Sequence, residues 1–142
     1  MPVHVQVVTP EGIIVDDESV RIVTVAGVAG EIGIEENHDD LLSELAVGQI
    51  RLGRPDPEAP PERLAATAGL VEVVDGRVMI LVEAAERAGD IDLERAREAK
   101  ERAQAYLDRS GDPDIDVARA ELALARALNR LDTASPATAN HS

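Results

Sequence analysis

A chain of 142 residues has room for one domain or two small ones, with a core that has little to spare. Cys, Phe and Trp are absent and Tyr106 is the single Tyr, so the core must be aliphatic, disulfides and thiolate metal sites are excluded, and structural zinc is disfavoured. A formal net charge of −14 argues against nucleic acid, whose phosphates are bound by basic fields, and no apolar run approaches the roughly 20 residues of a membrane-spanning helix.

The acid is unevenly spread. Up to residue 88 there are 6 Lys and Arg against 17 Asp and Glu, whereas residues 89 to 133 hold 8 against 11. Met1-Pro2-Val3 enters a strand pattern with no basic or apolar leader, so the expectation is a soluble protein, made in place, that meets a membrane only through a partner.

From Val3 to Thr9 apolar residues alternate with His4 and Gln6, then Thr9-Pro10-Glu11-Gly12 forms a turn and Ile13-Ile14-Val15 resumes, which predicts a first hairpin. Val20 to Val25 is a third strand. Short apolar pieces at 32–34, 41–45 and 49–52 follow, each between turn residues. Arg54 to Pro61 lacks amide donors at four prolines and reads as a mobile hairpin tip, in preference to a domain linker. Residues 63–66, 70–74 and 77–82 continue the strand pattern, and Asp75-Gly76 is a strong type I′ turn signal.

At Asp90 the period changes. Asp90-Ile91-Asp92-Leu93-Glu94-Arg95-Ala96 recurs 24 positions later as Asp114-Ile115-Asp116-Val117-Ala118-Arg119-Ala120. Each copy opens a helix, because Asp accepts from free first-turn N–H groups and sets negative charge at the positive end of the macrodipole. Ser110-Gly111-Asp112-Pro113 separates the two helices. Ala96, Ala99, Ala103 and Tyr106 or Leu107 form one apolar stripe, and Val117, Ala120, Leu124, Ala127 and Leu131 form the other. Such Ala-rich stripes bury little area, so the hairpin should be marginal alone.

The reading is an α+β chain: an N-terminal antiparallel β-sandwich of about 8–10 strands, residues 1–88, then a C-terminal α-helical hairpin, residues 89–133, and a disordered tail, residues 134–142. No nucleophile triad, phosphate loop or paired catalytic carboxylates can be assembled, so no catalytic residue is assigned. His38-Asp39-Asp40 offers too few convergent ligands for a metal site, and none is assigned.

At Gly27-Val28-Ala29-Gly30-Glu31-Ile32-Gly33-Ile34, followed by Asn37-His38 and Leu41-Leu42, the sequence closely resembles the epsilon subunit of F-type ATP synthases of the bacterial type. The resemblance continues through Thr67 to Val73 and the repeated helix starts, over roughly residues 3 to 132. Ala26 stands where Pro is usual, Asp39-Asp40 replace a smaller or Pro-containing pair, and Leu70 stands where an aromatic residue is common.

The resemblance implies a non-catalytic rotor subunit of the central stalk at the cytoplasmic face of the bacterial membrane. There it couples proton flow to ATP synthesis, with its sandwich on the gamma subunit and the c-ring. The hairpin would inhibit ATP hydrolysis by extending toward the catalytic alpha/beta head. Carried over from the family, Glu31 and His38 are partner contacts.

The hairpin cations suggest a ligand. Arg95 and Arg102 share one face of the first helix, and Arg126 and Arg130 are an i, i+4 pair on the second, so four guanidinium groups could meet a triphosphate across the hairpin. In some bacterial members of the family the motif I-D-x-x-R-A binds ATP. It stands here as Ile91, Asp92, Arg95 and Ala96 in Ile91-Asp92-Leu93-Glu94-Arg95-Ala96, and Glu86, Arg102, Arg126 and Arg130 match other participating positions. No cofactor is required; ATP is a regulatory ligand in this reading. The competing reading is a solvated face with Arg paired to Glu94, Glu98 and Glu101. Two functional alternatives stay open: a module whose main role is ATP sensing, and a purely structural stalk adaptor.

Overall fold

The computed structural model describes residues 2–109 and 111–135. It divides between Arg87 and Ala88 into two compact units.

The first unit is built from ten strands: β1 (Val3–Thr9), β2 (Gly12–Val20), β3 (Ile22–Gly27), β4 (Gly30–Ile34), β5 (Leu41–Leu45), β6 (Gly48–Gly53), β7 (Glu62–Ala66), β8 (Gly69–Val74), β9 (Arg77–Val82) and β10 (Ala85–Arg87). They run in the order β10-β7-β6-β3-β5-β8-β9-β1-β2, with β4 on the remaining edge of β3. β3 shares its second edge between two neighbours, β6 at Ile22–Thr24 and β5 at the single pair Gly27 and Leu45. At that step the sheet bends into two layers. The inner faces bring together Val3, Val5 and Val7 of β1, Val23 and Val25 of β3, Ile50 and Leu52 of β6, Leu64 of β7, Val71 and Val73 of β8, and Val78, Ile80 and Val82 of β9, forming an aliphatic core as the composition requires. Val is favoured because its branched side chain suits a pleated surface.

Several expected features are present. Asp75 (φ 49°) and Gly76 (φ 78°) both adopt positive φ between the paired Val74 and Arg77, as a type I′ turn demands. Arg54 to Pro61 joins the antiparallel pair β6 and β7, with Asp56 accepting from the Glu58 amide at 2.9 Å.

Other features differ from the sequence reading. The second strand runs to Val20 instead of ending at Val15, because as a terminal strand of the order it can turn Asp16, Glu18 and Ser19 to solvent. Asp16 and Asp17 pair with Gln6 and Val5 although they break the apolar pattern, and the register shifts between Asp17 and Val20 before pairing resumes at Val3. The chain then turns at Arg21, so Val20 belongs to β2 and the third strand starts at Ile22. One pair, β1 with β9, is parallel within the otherwise antiparallel set. The strands between them serve as the long crossover that parallel neighbours need.

The second unit begins with a single 3₁₀ turn at Ala88–Asp90, followed by α1 (Leu93–Asp108) and α2 (Val117–Ala134), which pack on each other. Asp92 and Asp116 are the N-caps, and each side chain accepts from the amide three residues on, Arg95 N and Arg119 N, at 3.1 Å. Arg109 ends α1, donating its amide to Tyr106 O at 3.1 Å. Ala96, Ala103, Ala120 and Ala127 are buried, and Leu107 supplies the inward position while Tyr106 is exposed. α2 runs to Ala134, one residue beyond the expected boundary, and Ser135 is its C-cap. The rest of the expected tail, 136–142, lies outside the described residues.

Candidate functional site

Two sets of residues were picked out by the sequence, one in each unit. In the hairpin, Ile91 is nearly buried, Asp92 is exposed with one oxygen engaged as the N-cap, and Ala96 is fully buried against the packed helices. The short connection returns α2 along α1, so Arg95, at the start of α1, lies toward the same end of the hairpin as Arg130 in the last part of α2, while Arg126 sits near the middle of α2. Arg102 lies about 10 Å further along α1, at 1.5 Å per residue. The fold therefore sets Arg95 and Arg130 toward one end of the hairpin and Arg102 and Arg126 midway along it.

Their pairing bears on both sequence readings. Among the described residues, the guanidinium groups of Arg95, Arg102 and Arg126 make no ion pair or hydrogen bond, whereas Arg97 pairs with Glu94 at 3.7 Å and Arg109 with Asp112 at 3.3 Å. An Arg–Glu pair of the solvated-face reading is present at Arg97, while Arg95 and Arg102 are exposed and face solvent without an ion pair among the described residues. Three guanidinium groups without an ion pair among the described residues keep their forked donors available to an anion such as a phosphate. Glu86 is on β10, in the first unit, opposite Ala65 of β7.

On the sandwich, Glu31 is exposed on β4 opposite Ala26 of β3, and Arg51 on β6 is opposite Thr24 of the same strand. The Arg51 guanidinium reaches over β3 to the Glu31 carboxylate, Nη2 to Oε2 at 2.7 Å. His38 is half-buried in the loop after β4, where Asn37 (φ 63°) turns the chain. Its Nδ1 lies 2.7 Å from the carbonyl of Asp39. A carbonyl only accepts, so Nδ1 carries the proton and Nε2 is left for another partner. Asp40 accepts from the Asp75 amide at 3.1 Å, tying the loop to the β8–β9 turn.

Sequence reasoning missed a third surface. On the outer face of β5, β8, β9 and β1, the paired rows Glu44-Leu70-Leu81-Val8 and Leu42-Glu72-Met79-Gln6 lie side by side. Leu42 is 68% exposed and Leu70, Met79 and Leu81 about 40%. Beside them His4, Gln6, Glu72, Arg77 and Met79 line an open cavity of about 270 Å³. Leu70, Leu81, Val8 and Met79 form an apolar strip bordered by Glu44, Glu72 and Gln6, with Leu42 across Glu72 from Met79, and an exposed apolar strip with polar neighbours is a feature of interaction surfaces. The signal was present in β9, where Met79 and Leu81 put apolar residues on the face that a one-sided strand would keep polar.

Comparisons with known proteins cover both units. The family model described as ATP synthase, Delta/Epsilon chain, beta-sandwich domain matches residues 2–88, and that described as ATP synthase, Delta/Epsilon chain, long alpha-helix domain matches residues 90–135. The chain is 47% identical over 131 residues to the ATP synthase epsilon chain of Halalkalibacterium halodurans, covering 92% of this chain and 96% of that one. It is 38% identical over 130 residues to the epsilon chain of Latilactobacillus sakei, covering 90% and 89%. Among solved structures, a chain of the Euglena gracilis mitochondrial ATP synthase superposes with a TM-score of 0.75 at 24% identity, over 87% of this chain and 76% of that one. A chain of the Tetrahymena thermophila mitochondrial ATP synthase central stalk and c-ring superposes with a TM-score of 0.58 at 15% identity, over 97% of each. These structural likenesses bear on the fold alone.

Proposed function

The chain belongs to the family of ATP synthase epsilon chains, and from that premise we propose that it is the non-catalytic central-stalk subunit of a bacterial F-type ATP synthase. The sandwich docks on the gamma subunit and the c-ring at the cytoplasmic face of the membrane, and so couples proton flow to ATP synthesis. What supports docking is the outer face of β5, β8, β9 and β1, where Leu42, Leu70, Met79 and Leu81 present more apolar surface than a free sheet face needs. Glu31 and His38 form a second, polar contact. No described helix is long and apolar enough to cross a membrane, so the association runs through the complex.

In the same reading the hairpin inhibits ATP hydrolysis when extended and binds ATP when compact. The observation that carries this is that, among the described residues, the guanidinium groups of Arg95, Arg102 and Arg126 make no ion pair. Separating α1 from α2 would separate Arg95 from Arg126, so a triphosphate bridging them prefers the compact state, and only such a difference in affinity lets a ligand shift the balance. Ile91 and Asp92 supply the apolar and polar edge for the base and ribose. If ATP binding dominates, the subunit is chiefly a sensor, and the same three cations favour that second reading.

The test compares ATP hydrolysis by the assembled complex with the full chain and with a chain ending at Ala88. Faster hydrolysis without the hairpin, with gamma and c subunits still recovered, is the expected result. Unchanged hydrolysis would remove the inhibitory role, and loss of gamma binding would move docking out of the sandwich.

A further inference from the structure

We propose that Arg51 is a positioning residue for docking, one that holds the Glu31 carboxylate in the orientation its partner meets. The inference rests on the reading of Glu31 as a contact residue and adds to it a residue that the sequence did not single out. A glutamate on an exposed strand has three rotatable bonds, and at 63% side-chain exposure nothing but a specific partner fixes them. Arg51 is that partner. It is only 33% exposed and is carried by β6, two strands away, with β3 between. Thr24 and Ala26, the β3 residues opposite Arg51 and Glu31, are both small, and they leave a lane across which the guanidinium extends. The contact joins Nη2 to Oε2 at 2.7 Å, the short range of a charge-assisted bond. Oε1 makes no hydrogen bond among the described residues, so one carboxylate oxygen is fixed and the other is offered outward to a donor on the partner.

Pre-organisation of this kind works by removing rotamer entropy before binding, and an exposed ion pair of this strength corresponds to roughly a two- to fivefold change in affinity. The experiment rebinds the full chain to membranes carrying the ATP synthase stripped of this subunit, with Arg51→Gln, Arg51→Lys, Glu31→Ala and the Arg51→Gln/Glu31→Ala double variant. Melting curves accompany each. Arg51→Gln should weaken rebinding about two- to fivefold with melting unchanged, Arg51→Lys should recover part of the loss, and in the Glu31→Ala background Arg51→Gln should have no further effect. An equal loss in that background would make Arg51 an independent contact and overturn the proposal. So would a normal affinity for Arg51→Gln beside a weakened Glu31→Ala. If Glu31→Ala itself rebinds normally, the docking role of Glu31 fails, and the role of Arg51 fails with it.

Discussion

The guanidinium of Arg87 on β10 donates to the backbone carbonyl of Ile14 on β2 at 3.1 Å. These two strands are the opposite ends of the sheet order, so one side chain spans the gap that backbone pairing leaves open. The same guanidinium pairs with Glu62 on β7, which keeps it aimed at the gap. An edge strand with free carbonyls is a template for unwanted pairing, and this contact occupies one of them.

Arg87→Ala should therefore destabilise the first unit without unfolding it. Hydrogen bonds from charged groups contribute about 1.5–3 kcal/mol when buried, and the partial exposure of Arg87 brings the expectation to roughly 1 kcal/mol. For a unit of this size that is a melting shift on the order of 4–8 °C. Arg87→Lys should fall between, keeping the charge for Glu62 and losing the fork. A melting curve identical to the parent would show that the sandwich is closed by its core alone.

Two glycines make opposite predictions. A Cβ on Gly69 would meet the Leu81 carbonyl oxygen at 2.0 Å, where β8 and β9 pair, and backbone cannot give way. Gly69→Ala should cost about 1–3 kcal/mol or more, as overpacking does. Gly89, outside the sandwich, has open space for 4 Å around the position a methyl group would take, and Gly89→Ala should leave melting nearly unchanged. Chemical denaturation of both variants separates the cases, and a mild Gly69→Ala would show that the β8–β9 pair can shift.

Much of this fold is legible in the sequence because its signals are local. Asp75-Gly76 permits few backbone conformations, and Asp92 and Asp116 each cap a helix from within four residues. What escapes is set by neighbours distant in sequence. β10 is three residues long and exists because β7 is beside it, and the parallel register of β1 on β9 depends on seven strands folding between them. For the candidate sites the division is similar. The sequence names Arg95, Arg102 and Arg126, but only the fold shows that no described acid pairs with them, and Arg51 has no local signal linking it to Glu31 from 20 positions away.

Acid should weaken the sandwich through Asp17. Hydrogen bonding from the Ser19 amide, then from the Ser19 hydroxyl and Arg54, holds this carboxyl below its ordinary value near 3.8. A carboxyl depressed by folding contributes fully above its unfolded pKa and stops contributing as pH falls through the folded one. Stability should thus be flat in this respect above about pH 4 and decline below 3.8. Asp17→Asn should be less stable than the parent at neutral pH, and the gap should close as the pH is lowered. A gap that persists unchanged to the lowest accessible pH would assign the loss to packing and not to charge.

The cations of the hairpin give the most specific prediction. Calorimetry on the full chain should detect ATP binding, and Arg95→Ala and Arg126→Ala should each abolish or sharply weaken it, since among the described residues neither guanidinium group has a protein partner to compete with phosphate. Arg97→Ala is the control. Arg97 stands two residues from Arg95 but is paired with Glu94, so its removal should leave binding close to the parent. Helicity measured by circular dichroism should be retained in all three, because the caps at Asp92 and Asp116 use backbone amides and are untouched. At about 100 times its dissociation constant, ATP would stabilise the compact hairpin by roughly 2.7 kcal/mol, a hundredfold shift in population. Two narrow Ala stripes hold the helices together, so a shift of that size would control whether they stay packed. Equal losses in Arg95→Ala and Arg97→Ala would mean that ATP senses only the summed charge of α1, and the hairpin would then be an inhibitor or a strut without a nucleotide site.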